Sequence, residues 1–411
     1  MNEGTAELPL WMLSPLAVVG AGLLLSQVIG VALQARGWPK LYGAVIAGLV
    51  LGVSGFGLVD AALLNQFQEL FNAAAALVLF EVGRKMDLAW LWRSGREGAA
   101  LLLGCVLRGA GALALLVAFG LDWGEAAFIA AILIAVNPVV FTSMVSDSNA
   151  TGVATYAGAN TVGISHLLAL LALSVSLAWM RSHGVNGELG FGGELLRQAS
   201  KLALGAAIAV LCYGLYALAA RVARAQAGLR PGILLAALMM DLGLCSVTSS
   251  SALLSLLLMG LLLRNAETRE NVFQAQVKTV QDIGYALLFM MSAALAQVQQ
   301  LLYWMPLLAA LLIFGMRIGL TRAALGLSGA WSARKKNAMA WSLCSLVSFG
   351  SLVVDSSITG STYMSEAGAS IMAVLLALNV LVAPGLTWLG LKMADETLDV
   401  LPALKDGDSY S

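Results

Sequence analysis

Long apolar runs broken by short polar intervals recur between residues 12 and 392, and thirteen of them approach the ~20 residues that a membrane-spanning helix requires. They fall at approximately 12–33, 40–57, 69–90, 98–120, 124–145, 154–180, 200–222, 232–246, 248–264, 281–297, 302–324, 336–356 and 367–392. Only Ser246-Val-Thr-Ser-Ser250 separates the eighth from the ninth. The fifth is interrupted from within, because its stretch Ala127 to Met144 places Asn137 and Pro138 back to back. Proline removes a backbone donor and clashes with the preceding turn, so Asn137 and its neighbours are expected to be unwound where lipid offers no replacement hydrogen bonds. Backbone of that kind implies a protein-lined site, and the next run carries Ser165 and His166 at mid-depth.

Lysine and arginine test the count independently, since short cytoplasmic loops carry the excess of both. With the N-terminus placed outside, eighteen of the 23 fall in the alternate loops that are then cytoplasmic, including Arg84, Lys85, Arg93 and Arg96 in one and Arg334, Lys335 and Lys336 in another. The opposite loops hold only Arg181, Arg197 and Lys201, while Arg108 and Arg317 lie within spans. An odd number of helices, N-out and C-in, follows. Composition agrees: at 60% hydrophobic, 11% charged and a mean hydropathy of +0.86, the apolar excess is more than a soluble core of this size could hide. The chain is expected to be an all-α polytopic membrane protein, with one transmembrane domain over 1–394 and a short cytoplasmic tail over 395–411. Met1 to Leu8 carries two glutamates and no basic residue, so the first run is expected to be a retained helix and not a cleaved signal. Cys105, Cys212, Cys245 and Cys344 sit inside apolar stretches without CxxC spacing and fit small core residues, with no metal or cofactor expected.

Transporters built from inverted repeats pair one discontinuous helix with another at the midplane. Seven helices on from the fifth lies the twelfth, where Ser345, Ser348, Gly350 and Ser351 form a polar, glycine-rich patch in an apolar span. Close helix packing explains such a patch equally well. Arg317 in the eleventh run is a costly charge that either faces a partner or a cavity, or snorkels to the inner surface beside Arg322. Glu81, Asp241, Asp282 and Asp355 are further intramembrane or helix-end carboxylates, with interhelical hydrogen bonding as the bland alternative for each. The connection Arg181 to Lys201 is the longest on the outer side, and Glu267 to Gln281 has the spacing of an amphipathic helix lying in the interface.

Several stretches resemble the cation/proton antiporter family, the sodium/proton exchangers and their potassium-efflux relatives. Trp38-Pro-Lys-Leu-Tyr-Gly43 through Ala47-Gly-Leu-Val-Leu-Gly52 is similar to the family's second-helix pattern. Leu79-Phe80-Glu81-Val-Gly83 with Met86-Asp87-Leu88 resembles its glycine-rich helix end and following turn, and Ser251 to Asn265 resembles the start of its second repeat. The resemblance spans roughly residues 15 to 390. It implies thirteen helices in interleaved scaffold and core subdomains, a crossing at the fifth and twelfth spans, and a homodimer in a bacterial-type inner (plasma) membrane. It also places Asn137 in the first crossing, Ser165 and His166 at the acidic ion-binding pair of the sixth helix, and Arg317 at the core basic position. The family ordinarily has aspartate where this chain has His166.

Three functions stay open on these residues. The first is a secondary transporter exchanging a monovalent cation for a proton by alternating access, with histidine titrating near neutral pH in place of the acid. The second is a proton-coupled transporter of an anion or small organic acid, suggested by Arg317 and the missing carboxylate. The third is a non-transporting homologue acting as scaffold or sensor. Enzymatic catalysis has no support, since the chain lacks a nucleophile elbow, a phosphate loop or a paired His and carboxylate; no nucleic-acid partner is expected. His183 is expected to be solvated beside Arg181, and the pairs Met239-Met240 and Met290-Met291 to be core packing.

Overall fold

The computed structural model describes residues 14–183, 190–222, 229–266, 271–329, 331–347 and 364–397, with backbone only at 61, 62, 64, 266 and 271–280. In chain order the helices are α1 Pro15–Gln34, α2 Tyr42–Leu51, α3 Ala61–Gln66, α4 Gln68–Lys85, α5 Leu88–Arg93, α6 Arg96–Ala118, α7 Trp123–Ile134 and α8 Pro138–Asp147. There follow α9 Val153–His183, α10 Phe191–Val222, α11 Arg230–Thr248, α12 Ala252–Ala266 and α13 Asn271–Ala294. A 3₁₀ turn at Val298–Leu302 leads to α14 Trp304–Ser328, α15 Ala333–Ser342 and α16 Glu366–Met393. No strand occurs among the described residues. Every one of the thirteen apolar runs has its helix, and eight of the helices, counting α7 and α8 as one, are long and apolar enough to cross a bilayer. The chain is a multi-pass, all-α membrane protein.

Four boundaries differ from the sequence expectation. The third span stops at Lys85 and not near residue 90, because Met86 is extended and Asp87 caps the separate helix α5 by accepting from the Trp90 amide. The outer connection is shorter than Arg181 to Lys201, since α10 already begins at Phe191. There the Phe191 ring meets Trp179 edge-on at 6.0 Å, and Glu194 pairs with Arg197 one turn later. The expected interfacial helix is not separate: from Asn271 onward it is continuous with the tenth span in α13, and 267–270 lie outside the described residues. In the twelfth run, α15 ends at Ser342, earlier than the serine-glycine patch. Ser348, Gly350, Ser351 and Asp355 all lie outside the described residues.

The described helices bury two principal apolar clusters. One joins α1, α2, α4 and α10–α13; the other joins α6, α7, α9, α14 and α16. The broken fifth span belongs to both, with Phe128, Ile129 and Leu133 of α7 in the second and Val139, Val140 and Met144 of α8 in the first. In the first cluster the glycine motifs of the sequence bring backbones together. A Cβ on Gly83 would stand 2.0 Å from the Leu257 carbonyl oxygen, and one on Gly260 would stand 2.1 Å from that of Phe80, so α4 and α12 touch at two reciprocal glycines. Gly48 of α2 and Gly52 just after it lie equally close to Met290 and Ala294 of α13. Lipid supplies no hydrophobic force between helices, so close backbone contact of this kind carries the association. Gly260→Ala should therefore push α4 and α12 apart at a cost of about 1–3 kcal/mol, read as a lower unfolding midpoint in detergent titration.

Candidate functional site

Asn137 and Pro138 break the fifth span as a helix stop followed at once by a helix start. α7 ends at Ile134, Ala135 is extended, and Pro138 occupies the first turn of α8, where its missing N–H would have no helical partner. Asn137 is the N-cap: its Oδ1 accepts from the amides of Val139 at 3.0 Å and Val140 at 3.2 Å. The break thus satisfies part of its own freed backbone. The rest is met from neighbouring helices. Ser165 of α9 accepts from the Val136 amide at 3.1 Å and donates to the Val162 carbonyl at 2.7 Å.

Arg317, on α14, is 1% exposed and does not snorkel. Its Nη1 donates to the Leu133 carbonyl and its Nη2 to Ala135 at 3.3 Å, at the end of α7. It also reaches the end of α15, through Nε to the Cys344 carbonyl at 3.1 Å and Nη2 to that of Ser345 at 2.9 Å. One guanidinium therefore caps the C-termini of two half-helices that meet from opposite sides. Each such end carries about −0.5 of an elementary charge, so two of them match the single positive charge. The charge of Arg317 is thus met by main-chain carbonyl oxygens.

The end of α15 has its own supports, from helices seven positions away in span order, one before and one after, from those that support the first break. Arg108 of α6, also 1% exposed, donates through Nη1 to the Leu343 carbonyl at 3.1 Å. Asn379 of α16 brackets the Leu346 peptide, accepting from its amide at 2.8 Å and donating to its carbonyl at 2.9 Å. Arg317 and Arg108 thus stand on the eleventh and fourth spans, and Asn379 and Ser165 on the thirteenth and sixth. Arg108 was visible in the sequence as a charge within a run; Asn379 had only its polarity in an apolar helix to signal it.

His166 follows Ser165 and is 2% exposed. Its Nδ1 lies 2.8 Å from the Val162 carbonyl oxygen. A carbonyl only accepts, so Nδ1 carries the hydrogen and a neutral ring keeps its basic lone pair on Nε2. Nε2 is buried and has no hydrogen-bond partner among the described residues, as is the case for Asn137 Nδ2 and Ser345 Oγ.

A cavity of about 780 Å³ with polar and charged groups in its wall opens on the Lys/Arg-rich face between α4, α8, α9, α12 and α13. Glu81 stands on its wall at 2% exposure, held by Arg84 at 2.8 Å, Lys85 at 3.4 Å and Gln281 at 2.9 Å; Asp282, Tyr285 and Thr142 also line it. Thr142 is five residues along α8 from Asn137, or ~7 Å at the helical rise. At the mouth, beyond the end of the third span, Asp87 is a junction of three helices. It accepts from the Tyr156 hydroxyl at 2.6 Å and from Arg264 at 3.2 Å, and its amide donates to Asn160 Oδ1 at 2.5 Å. Burial alone would raise its pKa, but the Tyr156 and Trp90 hydrogen bonds and the charges of Arg264 and Arg93 outweigh it and hold the carboxyl below the usual range.

Asp241 is not brought to this site. It is fully buried between α11 and α12, where Ser255 donates to it at 2.7 Å and the Cys245 thiol lies at 3.7 Å. All four cysteines are buried free thiols. His183 is exposed and stacks on Trp179 with ring centroids 4.1 Å apart.

Fold and site together define a polytopic membrane protein organised around a helix broken at mid-depth. The sodium/hydrogen exchanger transmembrane family matches residues 18–389, and the chain belongs to that family. No curated protein matches it. Among solved structures, the sodium proton antiporter MjNhaP1 from Methanocaldococcus jannaschii is similar, with a TM-score of 0.64 and 16% identity over 93% of this chain and 96% of that one. At that identity the likeness shows the fold.

Proposed function

We propose that this protein is a secondary active transporter that exchanges a monovalent cation for a proton by alternating access, and that His166 is its proton-binding group. The observation that carries the reading is the locked ring of His166, whose Nδ1–H is held by Val162 and whose Nε2 lone pair is left for a proton, one residue from the Ser165 that supports the broken span. Family membership gives the class of transported ion. Sodium or potassium, as hard ions, need oxygen ligands. The cavity on the Lys/Arg-rich face, cytoplasmic by the distribution of positive charge, offers them from Glu81, Thr142 and Tyr285. The pathway then runs past Asn137 and Pro138, where the C-terminal end of α7 and that of α15 are capped by Arg317. The serine-glycine patch Ser348, Gly350 and Ser351 belongs to the same proposal as the partner break, with Asp355 as a secondary candidate.

Reconstitution into liposomes containing a pH-sensitive dye tests this directly. Imposed sodium or potassium gradients should drive proton movement, His166→Ala should abolish it, and His166→Asp should restore cation-dependent exchange through a carboxylate. Signals that respond to chloride or small carboxylates and to no cation would replace this reading with anion transport. A silent protein whose His166→Asp variant is also silent would point to a non-transporting homologue.

A further inference from the structure

A second cavity, of about 610 Å³, lies between the connection that follows α13 and the first turns of α14 and α16. Both of those helices begin at it and run from there to the Lys/Arg-rich face, so it opens on the opposite surface. Gln297 and Gln300 line it from the connection, Tyr303 and Trp304 from the start of α14, and Glu366 and Ser370 from α16. The cavity is also a seam. α13 packs in the first apolar cluster and α14 and α16 in the second, and across that divide Ser370 donates to Gln300 Oε1 at 3.0 Å.

The lining carries one formal charge, the Glu366 carboxylate, and no lysine, arginine or histidine. Among the described residues nothing pairs with that carboxylate. The neutral polar groups are occupied with one another. Gln300 Nε2 donates to Gln297 Oε1 at 2.8 Å, while Gln300 Oε1 takes the Ser370 hydroxyl, so both amide oxygens already accept. Tyr303 is 62% and Trp304 75% exposed, and little protein covers either ring. Aromatic faces are negative and attract cations. Rings at this depth also form the interfacial belt of membrane proteins, but these two share one cavity with a carboxylate. Two open rings, one negative charge and no positive one select a cation. With both amide oxygens taken, an ammonium rich in N–H groups would lack acceptors, whereas a fully methylated nitrogen requires none.

We propose that this outer cavity binds a quaternary ammonium group, its methyls against Tyr303 and Trp304 and its charge met by Glu366. An occupant there bridges the two apolar clusters beside the Ser370–Gln300 contact. The site stands independently of which ion the crossing carries.

Tritiated choline is the probe, with its uncharged isostere, carbon in place of nitrogen, as the control. The full-length protein in nanodiscs of phosphatidylglycerol should bind choline saturably, and an excess of the isostere should not displace it. Trp304→Ala should weaken binding several-fold, and Trp304→Phe, which keeps an aromatic face, should retain most of it. Glu366→Gln should also weaken binding; its side chain is exposed on the first turn of α16, so the fold does not depend on it. Competition from phosphatidylcholine added to the disc would make the source a lipid headgroup, and its absence a free solute, with the same ammonium chemistry in both cases. Lack of saturable choline binding overturns the proposal. Equal displacement by the uncharged isostere does so too, and so does binding unchanged in both Trp304→Ala and Glu366→Gln, which would put the cation elsewhere in the protein.

Discussion

Arg317→Met should be the most damaging single substitution in this protein, lowering stability by about 3–5 kcal/mol and abolishing transport. Methionine has similar length and suits an apolar span, so bulk is not what is lost. What is lost is the cap on two helix ends, since Leu133, Ala135, Cys344 and Ser345 would all be left with carbonyl oxygens unpaired and two like partial charges facing each other. Arg317→Lys should recover only part of the deficit, because an ammonium is a point charge and cannot spread its donors over two chain ends as a planar guanidinium does. The molecule provides its own reporter: all four cysteines are buried, so a thiol-reactive fluorophore signals unfolding. In a thermal scan the Arg317→Met midpoint should fall by on the order of 10 °C. An unchanged midpoint would mean that the carbonyls find other partners and that Arg317 is dispensable to the crossing.

Glu396→Ala should cost about 2–3 kcal/mol, with its effect felt at a helix far away in the sequence. Just beyond the last span, the Glu396 carboxylate accepts from the amides of Ala154 at 2.9 Å and Thr155 at 2.7 Å and from the Thr155 hydroxyl at 2.9 Å, while its own carbonyl accepts from Thr151. It thereby closes the N-terminus of α9, the helix that carries Ser165 and His166. Gly152 is needed beside it, since a Cβ there would lie 2.2 Å from the carboxylate carbon. Hydrogen–deuterium exchange should rise first over residues 151–160 in Glu396→Ala, before any change in α4 or α12, and Glu396→Gln should lie between it and the wild type because one acceptor oxygen survives. Faster exchange everywhere, with no local onset, would make Glu396 a general stabiliser and not a cap.

The difference between those two sites explains what the sequence made legible. Asn137-Pro138 is a local signal, in which capping residue and helix-starting proline stand next to each other, and the broken span could be placed from chemistry within four residues. Arg317 announced itself as a charge in an apolar run, but its partners are main-chain carbonyls, which leave no mark in a sequence, so partner, cavity and surface stayed equally open. Asn379 and Glu396 act across 33 and 242 residues, and nothing local tells such a residue from an ordinary polar one. The glycines at 83 and 260 could be noticed as a pattern, but that they face each other is a property of the assembled helices. His166 was legible as an anomaly because it departs from a family pattern; the tautomer that gives it a chemical role required the Val162 carbonyl.

That ring has an electrical consequence. A carboxylate at the crossing is negative when empty and neutral when it holds a proton, whereas the imidazole of His166 is neutral when empty and positive when protonated. In the cycle proposed above, the proton-loaded half therefore moves a net charge, and a membrane potential acts on it with about 2.3 kcal/mol per elementary charge for every 100 mV. A potential negative on the Lys/Arg-rich side draws the protonated form toward that side. In the proposed cycle it is the proton-loaded form, and not the empty one, whose orientation depends on voltage.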